Sequence, residues 1–245
     1  MTAANATADA ADLSPAECAR ALLAALRSGD DPGPYRRQLA TLDETTLDAM
    51  ATDREAALSF WLNCYNAGTQ LLLDERSDLY DSSLRFVRFF GADALTVAGT
   101  GLSLDDIEHG IVRGSKWSYG MGYLPRPFPS EFERRHRLPG PDPRVHFALN
   151  CGAESCPAIR SFDPDGVDAQ LDRATRAYLD AEVEHDRDAG RVALPRVFLW
   201  YRGDFGSRRG IRTFLRAYDA IPDDANPALE YRSWDWSKAP GKFAD

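Results

Sequence analysis

Apolar residues recur along most of the chain at helical spacing, and the longest such run has almost no polar face. From Arg54 to about Asp74, Ala57, Leu58, Trp61, Leu62, Tyr65, Leu72 and Leu73 cover a wide arc, which predicts a helix central to the core. Ahead of it, Ser14-Pro15 reads as an N-cap and first helical position. Cys18, Leu22, Leu23 and Leu26 follow with helical period, and Gly29 ends the element. Short helical segments are expected over 35–39 and 42–50, and a further helix over 78–90. The period changes to two at Leu95–Leu104, where Gly99 and Gly101 predict a β-hairpin, and Asp105 then caps a short helix over 106–113.

The stretch 114–143, rich in Gly, Pro and charge, reads as a long loop or lid. Alternation over Arg144–Asn150 predicts a strand with Val145, Phe147 and Leu149 on one side and His146, Ala148 and Asn150 on the other. Helices over 165–181 and 207–220, short strands over 191–194 and 197–201, and a last strand over 229–236 complete the pattern. Residues 1–12 read as a disordered tail, and 13–245 as a single domain without repeats or linkers. The fold class is α+β, with N-terminal helices and a central buried helix packed on a small, mostly antiparallel sheet.

Composition narrows the function. The 245 residues carry a formal charge of −9 and are 44% hydrophobic and 27% charged, which is ordinary for a globular chain. An acidic balance argues against nucleic-acid or anionic-membrane partners, whose affinity comes from clustered positive charge. No run approaches the roughly 20 apolar residues of a membrane span, and no secretory signal is visible. A soluble, cytoplasmic protein is expected, with Cys18, Cys64, Cys151 and Cys156 as reduced thiols. All but three of the 29 basic residues are arginine. Arg208, Arg209, Arg212 and Arg216 form a stripe that reads as a solvated face, with the acidic stretch 163–188 as its expected partner.

Three segments carry candidate chemistry. In Phe60-Trp-Leu-Asn-Cys-Tyr-Asn-Ala67, Asn63, Asn66 and Gln70 share a helix face; they either tie down neighbouring loops or border a pocket. In Val145–Pro157, His146, Asn150 and Cys151 are delivered together and Gly152 lets the chain turn. A thiol beside an imidazole has a lowered pKa and a more nucleophilic thiolate. Inert packing of Cys151 is the competing reading. Zinc held by His146, Cys151, Cys156 and His109 is a third, but the spacing matches no familiar finger pattern, and neither metal nor cofactor is expected. In Asp106–Arg113, Glu108 orients an imidazole or His109 acts as base. Alternatively, Glu108 and Arg113 form a surface ion pair. Neighbours on a helix point about 100° apart, so Glu108 and His109 are not expected to face one site squarely.

Together the blocks FWLNCYNA, LSLDDIEHGIVR and RVHFALNCGAESCPAIRSF resemble the signatures of the DUF547 domain, a domain of unknown function found in bacteria, archaea and plants. FLWYRGDFG and YRSWDWS also fit, so the resemblance spans about residues 50–236. It implies that Cys151, at the family's usual Cys position, is the reactive thiol rather than Cys156, where some relatives have Ser. The coiled coil of plant members has no counterpart here. The expected activity is a thiol-dependent hydrolase or acyl transferase. Cys151 is the nucleophile, His146 or His109 the base, and Glu108 or Asn63 its orienting group, with the N–H groups after Gly152 as oxyanion donors. Asn66, Arg113, Asn150 and Gly152 are the expected binding residues, for a small-molecule or peptide ligand. The other class is a non-catalytic binding module in which these residues are a structural hydrogen-bond network.

Overall fold

In the computed structural model, which describes residues 13–244, the N-terminal third is helical. The tail expected over 1–12 lies outside the described residues. Helices α1 (Pro15–Ser28), α2 (Gly33–Ala40) and α3 (Glu44–Ala51) surround α4 (Arg54–Glu75). Ser14 and Glu17 close a capping box at the start of α1, and Gly29 ends it in the left-handed conformation that glycine tolerates best. Every residue of α4 from Ala57 to Leu73 is buried, so the helix has no solvent face and forms the axis of the core.

The chain continues through α5 (Ser77–Asp81), α6 (Arg85–Arg88) and a hairpin of β1 (Asp93–Val97) and β2 (Thr100–Ser103). The helix expected over 78–90 is broken because the Ser82 hydroxyl accepts the Leu84 N–H and turns the chain. A π-helix follows at Asp106–Val112. The expected lid over 114–143 contains α7 (Glu131–His136), capped by Ser130. Next come α8 (Val167–Glu182), β3 (Glu184–Asp186), β4 (Arg191–Leu194), α9 (Val197–Trp200), α10 (Arg208–Ala217) and β5 (Ala228–Tyr231). β4 pairs antiparallel with β3 and parallel with β5. The fold is α+β, with two small sheets where one was expected. Among the described residues no helix is long and apolar enough to cross a membrane.

Two expected strands are helical. Arg144–Asn150 is a 3₁₀ turn over Pro143–Phe147 followed by extended loop. Pro143 sits in its first turn, and the Asp142 carboxylate accepts the Arg144 N–H, so capping chemistry overrides the alternating pattern. The loop beyond it finds its partner in a side chain instead of a strand. Asn66 donates Nδ2–H to the Ala148 carbonyl (3.0 Å), and its Oδ1 accepts the Asn150 N–H (2.9 Å). Asn63 does the same to Phe162, at 2.8 and 3.0 Å. Each amide thus mimics one bridge of a β-ladder, and the central helix acts as a surrogate strand edge. Val197–Tyr201, a short apolar run of ambiguous period, folds as α9 behind Pro195. The last strand ends at Tyr231, short of the expected Trp236.

The arginine stripe on α10 does not pair with the acidic stretch. Arg212 and Arg216 instead donate to the carbonyls of Pro227 and Ala225 and hold that return segment, while Asp168 and Asp172 pair with Arg144.

Replacing Asn66 by Ala leaves the buried Ala148 carbonyl and Asn150 N–H without partners. Urea denaturation is expected to show a loss of about 2–4 kcal/mol with an unchanged slope. A loss below about 0.5 kcal/mol would show that this tie is dispensable.

Candidate functional site

The site is built around Arg113, at the end of the π-helix. The wide-turn bonding is explicit: the Arg113 N–H donates to the Glu108 carbonyl and the Ser115 N–H to that of Gly110, each five residues back. The Arg113 side chain is fully buried and its guanidinium donates twice to Asp204, from Nε (2.7 Å) and a terminal nitrogen (3.2 Å). Its other terminal nitrogen donates to His109 Nδ1 at 2.8 Å. Arginine has only donors, so His109 Nδ1 is unprotonated and the proton sits on Nε2, which faces Asp105 at 3.5 Å. The expected surface pair of Glu108 with Arg113 is therefore corrected: both are buried, and the partner of Arg113 is Asp204.

Asp204 lies in the turn after α9, where two glycines let a second segment cross it. A Cβ on Gly203 would fall 2.4 Å from the Gly122 carbonyl carbon, and one on Gly122 2.5 Å from Asp204 Oδ1. The Gly203 N–H donates to the Met121 carbonyl at 2.8 Å, so the 114–143 segment is fastened over the carboxylate. Asp204 also accepts from His146 Nε2 at 2.9 Å. A carboxylate only accepts, so Nε2 carries the proton. Among the described residues Nδ1 of His146 has no hydrogen-bond partner. The His146 ring stacks on Tyr201, with centroids 4.0 Å apart, and the Arg113 guanidinium also lies over that ring at 4.5 Å. The Tyr201 hydroxyl donates to Glu108 Oε1 at 2.6 Å.

Three of these groups are shifted from their ordinary values. Burial, aided by Arg113, lowers the His109 imidazole to about 4, so it is neutral at physiological pH. Burial opposes ionisation of Asp204, but His146 and Arg113 outweigh it and hold the carboxyl at about 2. For Glu108, burial is likewise outweighed by His109, Arg113 and the Tyr201 hydroxyl, and its carboxyl lies below the usual range.

A cavity of about 390 Å³ opens in front of this network. Glu108, His109, His146 and Cys151 all line it. Glu108 and His109 thus face one cavity, contrary to the expectation from ordinary helical spacing. Asp105, Tyr201 and Cys156 join them, with Trp200, Trp234 and Trp236 as an aromatic wall. Asn63, Asn66, Arg113, Asn150 and Gly152 do not line the cavity. Asn63 is bonded at both ends to Phe162 and is not placed to orient a base. Asn150 staples the cysteine loop by donating to the Pro157 carbonyl (2.7 Å) and accepting the Gly152 N–H (2.8 Å). Gly152 has φ +84°, and a Cβ there would press on Leu73 at 3.0 Å.

One expectation about the cysteines is corrected. Cys151 and Cys156 are paired as a disulfide, not held as two free thiols: the Cys156 N–H donates to the Ala153 carbonyl, folding the loop back until the Cα atoms lie 6.3 Å apart. Of the N–H groups after Gly152, that of Ala153 has no acceptor among the described residues. Those of Gly152, Glu154, Ser155 and Cys156 are committed to Asn150 Oδ1 and to the carbonyls of Ser237, Asp235 and Ala153. The Cys151 N–H instead points at Cys156 Sγ, 3.1 Å away. Cys18 and Cys64 are buried free thiols, as their apolar settings imply, and burial raises both pKa values, that of Cys18 to about 12. Among the described residues no cluster of three or more His, Cys, Asp or Glu is arranged to hold a metal.

The residues missed from sequence are Asp204, Tyr201 and Asp105. FLWYRGDFG does carry a signal, an acid in a glycine-bracketed turn behind aromatic residues, but nothing local pairs it with Arg113, 91 positions away.

A family model described as "Protein of unknown function, DUF547" matches residues 49–179, more than half of the chain. The chain belongs to the DUF547 family. No curated protein and no solved structure matches it. The DUF547 match takes in α4, the π-helix and the cysteine loop, and it stops before Tyr201 and Asp204, which complete the polar network.

The neutral His109 gives a pH signature. The unfolded chain protonates this imidazole near 6.5 and the folded one only near 4, so the unfolded state binds more protons between those values. Stability is therefore lost as pH falls from about 6.5 towards 4, by up to about 3 kcal/mol from this group. His109→Gln, which keeps an acceptor for Arg113, is expected to lose less stability than the parent over that range in urea titrations. Parallel curves for the two proteins would contradict the assignment.

Proposed function

We propose that this DUF547 protein is a thiol-dependent hydrolase or acyl transferase with Cys151 as nucleophile, His146 as base and Asp204 as the group that orients it. The observation that carries the reading is the hydrogen bond from His146 Nε2 to Asp204. Asp204 holds the proton on Nε2 and leaves Nδ1 as an unpartnered acceptor in a residue lining the same cavity as Cys151. His109 is the weaker candidate, because its Nδ1 is already occupied by Arg113.

The paired sulfurs must first be reduced. A thiol reductant delivers two electrons and two protons and releases both thiols. We place the active form in a reducing, cytoplasmic compartment. The Cys151 proton then passes to His146 Nδ1, and the thiolate attacks the acyl carbonyl, forming a C–S bond. The leaving group departs with the proton from the imidazolium, and water or an acceptor releases the acyl group. The Cys151 N–H, freed when Cys156 moves away, is a donor available to the oxyanion.

A non-catalytic binding module is favoured by one observation: Asn63, Asn66 and Asn150 are all committed to backbone groups and hold loops. The two readings differ in a burst experiment. Reduced protein mixed with p-nitrophenyl acetate is expected to release nitrophenol in a burst and to carry an acetyl group on Cys151. Cys151→Ala should show no burst, Cys156→Ser should show one without reductant, and His146→Gln should slow it on the order of 100-fold. An undiminished burst in Cys151→Ala, or none in the reduced parent, would leave only the binding module.

A further inference from the structure

Among the described residues, two carboxylates that line the cavity have no arginine or lysine within ion-pair distance. They are Asp105 and Glu108, and among the described residues each meets only His109 within that distance, at 3.5 and 3.6 Å. That imidazole is neutral. Arg113 is engaged by Asp204, and Arg126 by Asp106 at 2.8 Å and Glu133 at 3.4 Å. Glu108 at least accepts from the Tyr201 hydroxyl, whereas the Asp105 carboxylate accepts no hydrogen bond among the described residues. Burial raises the Asp105 carboxyl to about 7, with the Glu108 charge adding to it and Arg126 too little to offset them, as expected of a carboxyl without a partner.

Much of the remaining lining is aromatic. Trp200 stands 5.3 Å from Trp234 and 5.7 Å from Trp236, centroid to centroid, and Phe86 packs edge-on against Trp236 at 4.9 Å. Indole faces attract cations as well as apolar bodies, and more strongly where water is excluded. A cavity with apolar walls and a few convergent polar groups is the usual form of a small-molecule site.

We propose that the cavity binds an organic amine, its ammonium group meeting Asp105 and Glu108 and its apolar or aromatic body lying against the Trp200–Trp234–Trp236 wall. An anionic ligand of the same shape is disfavoured by those carboxylates, and a neutral one leaves Asp105 without a partner. The inference rests on the cavity, not on thiol chemistry, and holds for the disulfide-bonded protein. Its failure is therefore distinguishable from failure of the acyl-transfer reading.

The test uses three probes of similar shape, phenethylamine, 2-phenylethanol and hydrocinnamate, titrated into the disulfide-bonded protein. Tryptophan fluorescence is the readout, since three of the five tryptophans line the cavity. Phenethylamine is expected to saturate at least tenfold more tightly than 2-phenylethanol, with hydrocinnamate weakest. Asp105→Asn should reduce the preference for amine over alcohol to less than threefold while leaving alcohol affinity unchanged. Alcohol affinity also serves as the control for an intact cavity. Equal or tighter binding of the alcohol or the carboxylate overturns the proposal. So does an undiminished amine preference in Asp105→Asn, or no saturable change with any probe.

Discussion

The Arg113–Asp204 ion pair is the constraint on which the site depends. Both side chains are fully buried, and removing two such charges from water costs several kcal/mol per ion before their attraction is counted. The geometry offsets that cost with several hydrogen bonds on each partner. Arg113 donates to both oxygens of Asp204 and to His109, and Asp204 takes a further donor from His146. Loss of one partner leaves an uncompensated buried charge, which typically costs 3–5 kcal/mol. The pair also joins distant parts of the chain: the π-helix, the turn after α9 and the 3₁₀ turn bearing His146 are all registered on it.

From that pair the role of one ring nitrogen in each histidine follows. Arginine can only donate, so His109 must accept at Nδ1; carboxylate can only accept, so His146 must donate from Nε2. One imidazole is thereby held as an acceptor for Arg113, the other oriented by Asp204 with Nδ1 unpartnered among the described residues. Tyr201 couples the two halves, stacking on His146 and Arg113 while its hydroxyl donates to Glu108. The Gly122–Gly203 crossing fastens the 114–143 segment against the carboxylate, so a stretch that reads as a long loop or lid is anchored where it passes the site.

Much of the scaffold is legible in the sequence because its signals are local. The capping box of α1, the unbroken apolar arc of α4 and the glycine turn of the hairpin each lie within one element. Cys151, His146, Glu108 and His109 stand out because their segments carry the family signatures, and the fold brings all four to one cavity. What is hidden depends on long-range partners. The segment around His146 alternates like a strand, yet Asn66, more than 80 residues earlier, supplies the pairing a neighbouring strand would give. Asp204 is an ordinary turn aspartate until Arg113 reaches it. The Cys151–Cys156 pairing needs the backward fold of the loop, which spacing alone does not reveal.

The central claim is that Asp204, itself fixed by Arg113, sets His146 to activate Cys151. The pH profile of Cys151 alkylation by iodoacetamide, read by peptide mass spectrometry in the reduced protein, tests it most directly. The account predicts rapid alkylation at pH 6, well below the ordinary thiol range near 8.5, from a thiolate paired with imidazolium, and a profile moved back towards that range in Asp204→Asn. A parent profile that rises only near 8.5, or one that Asp204→Asn leaves unmoved, would contradict it.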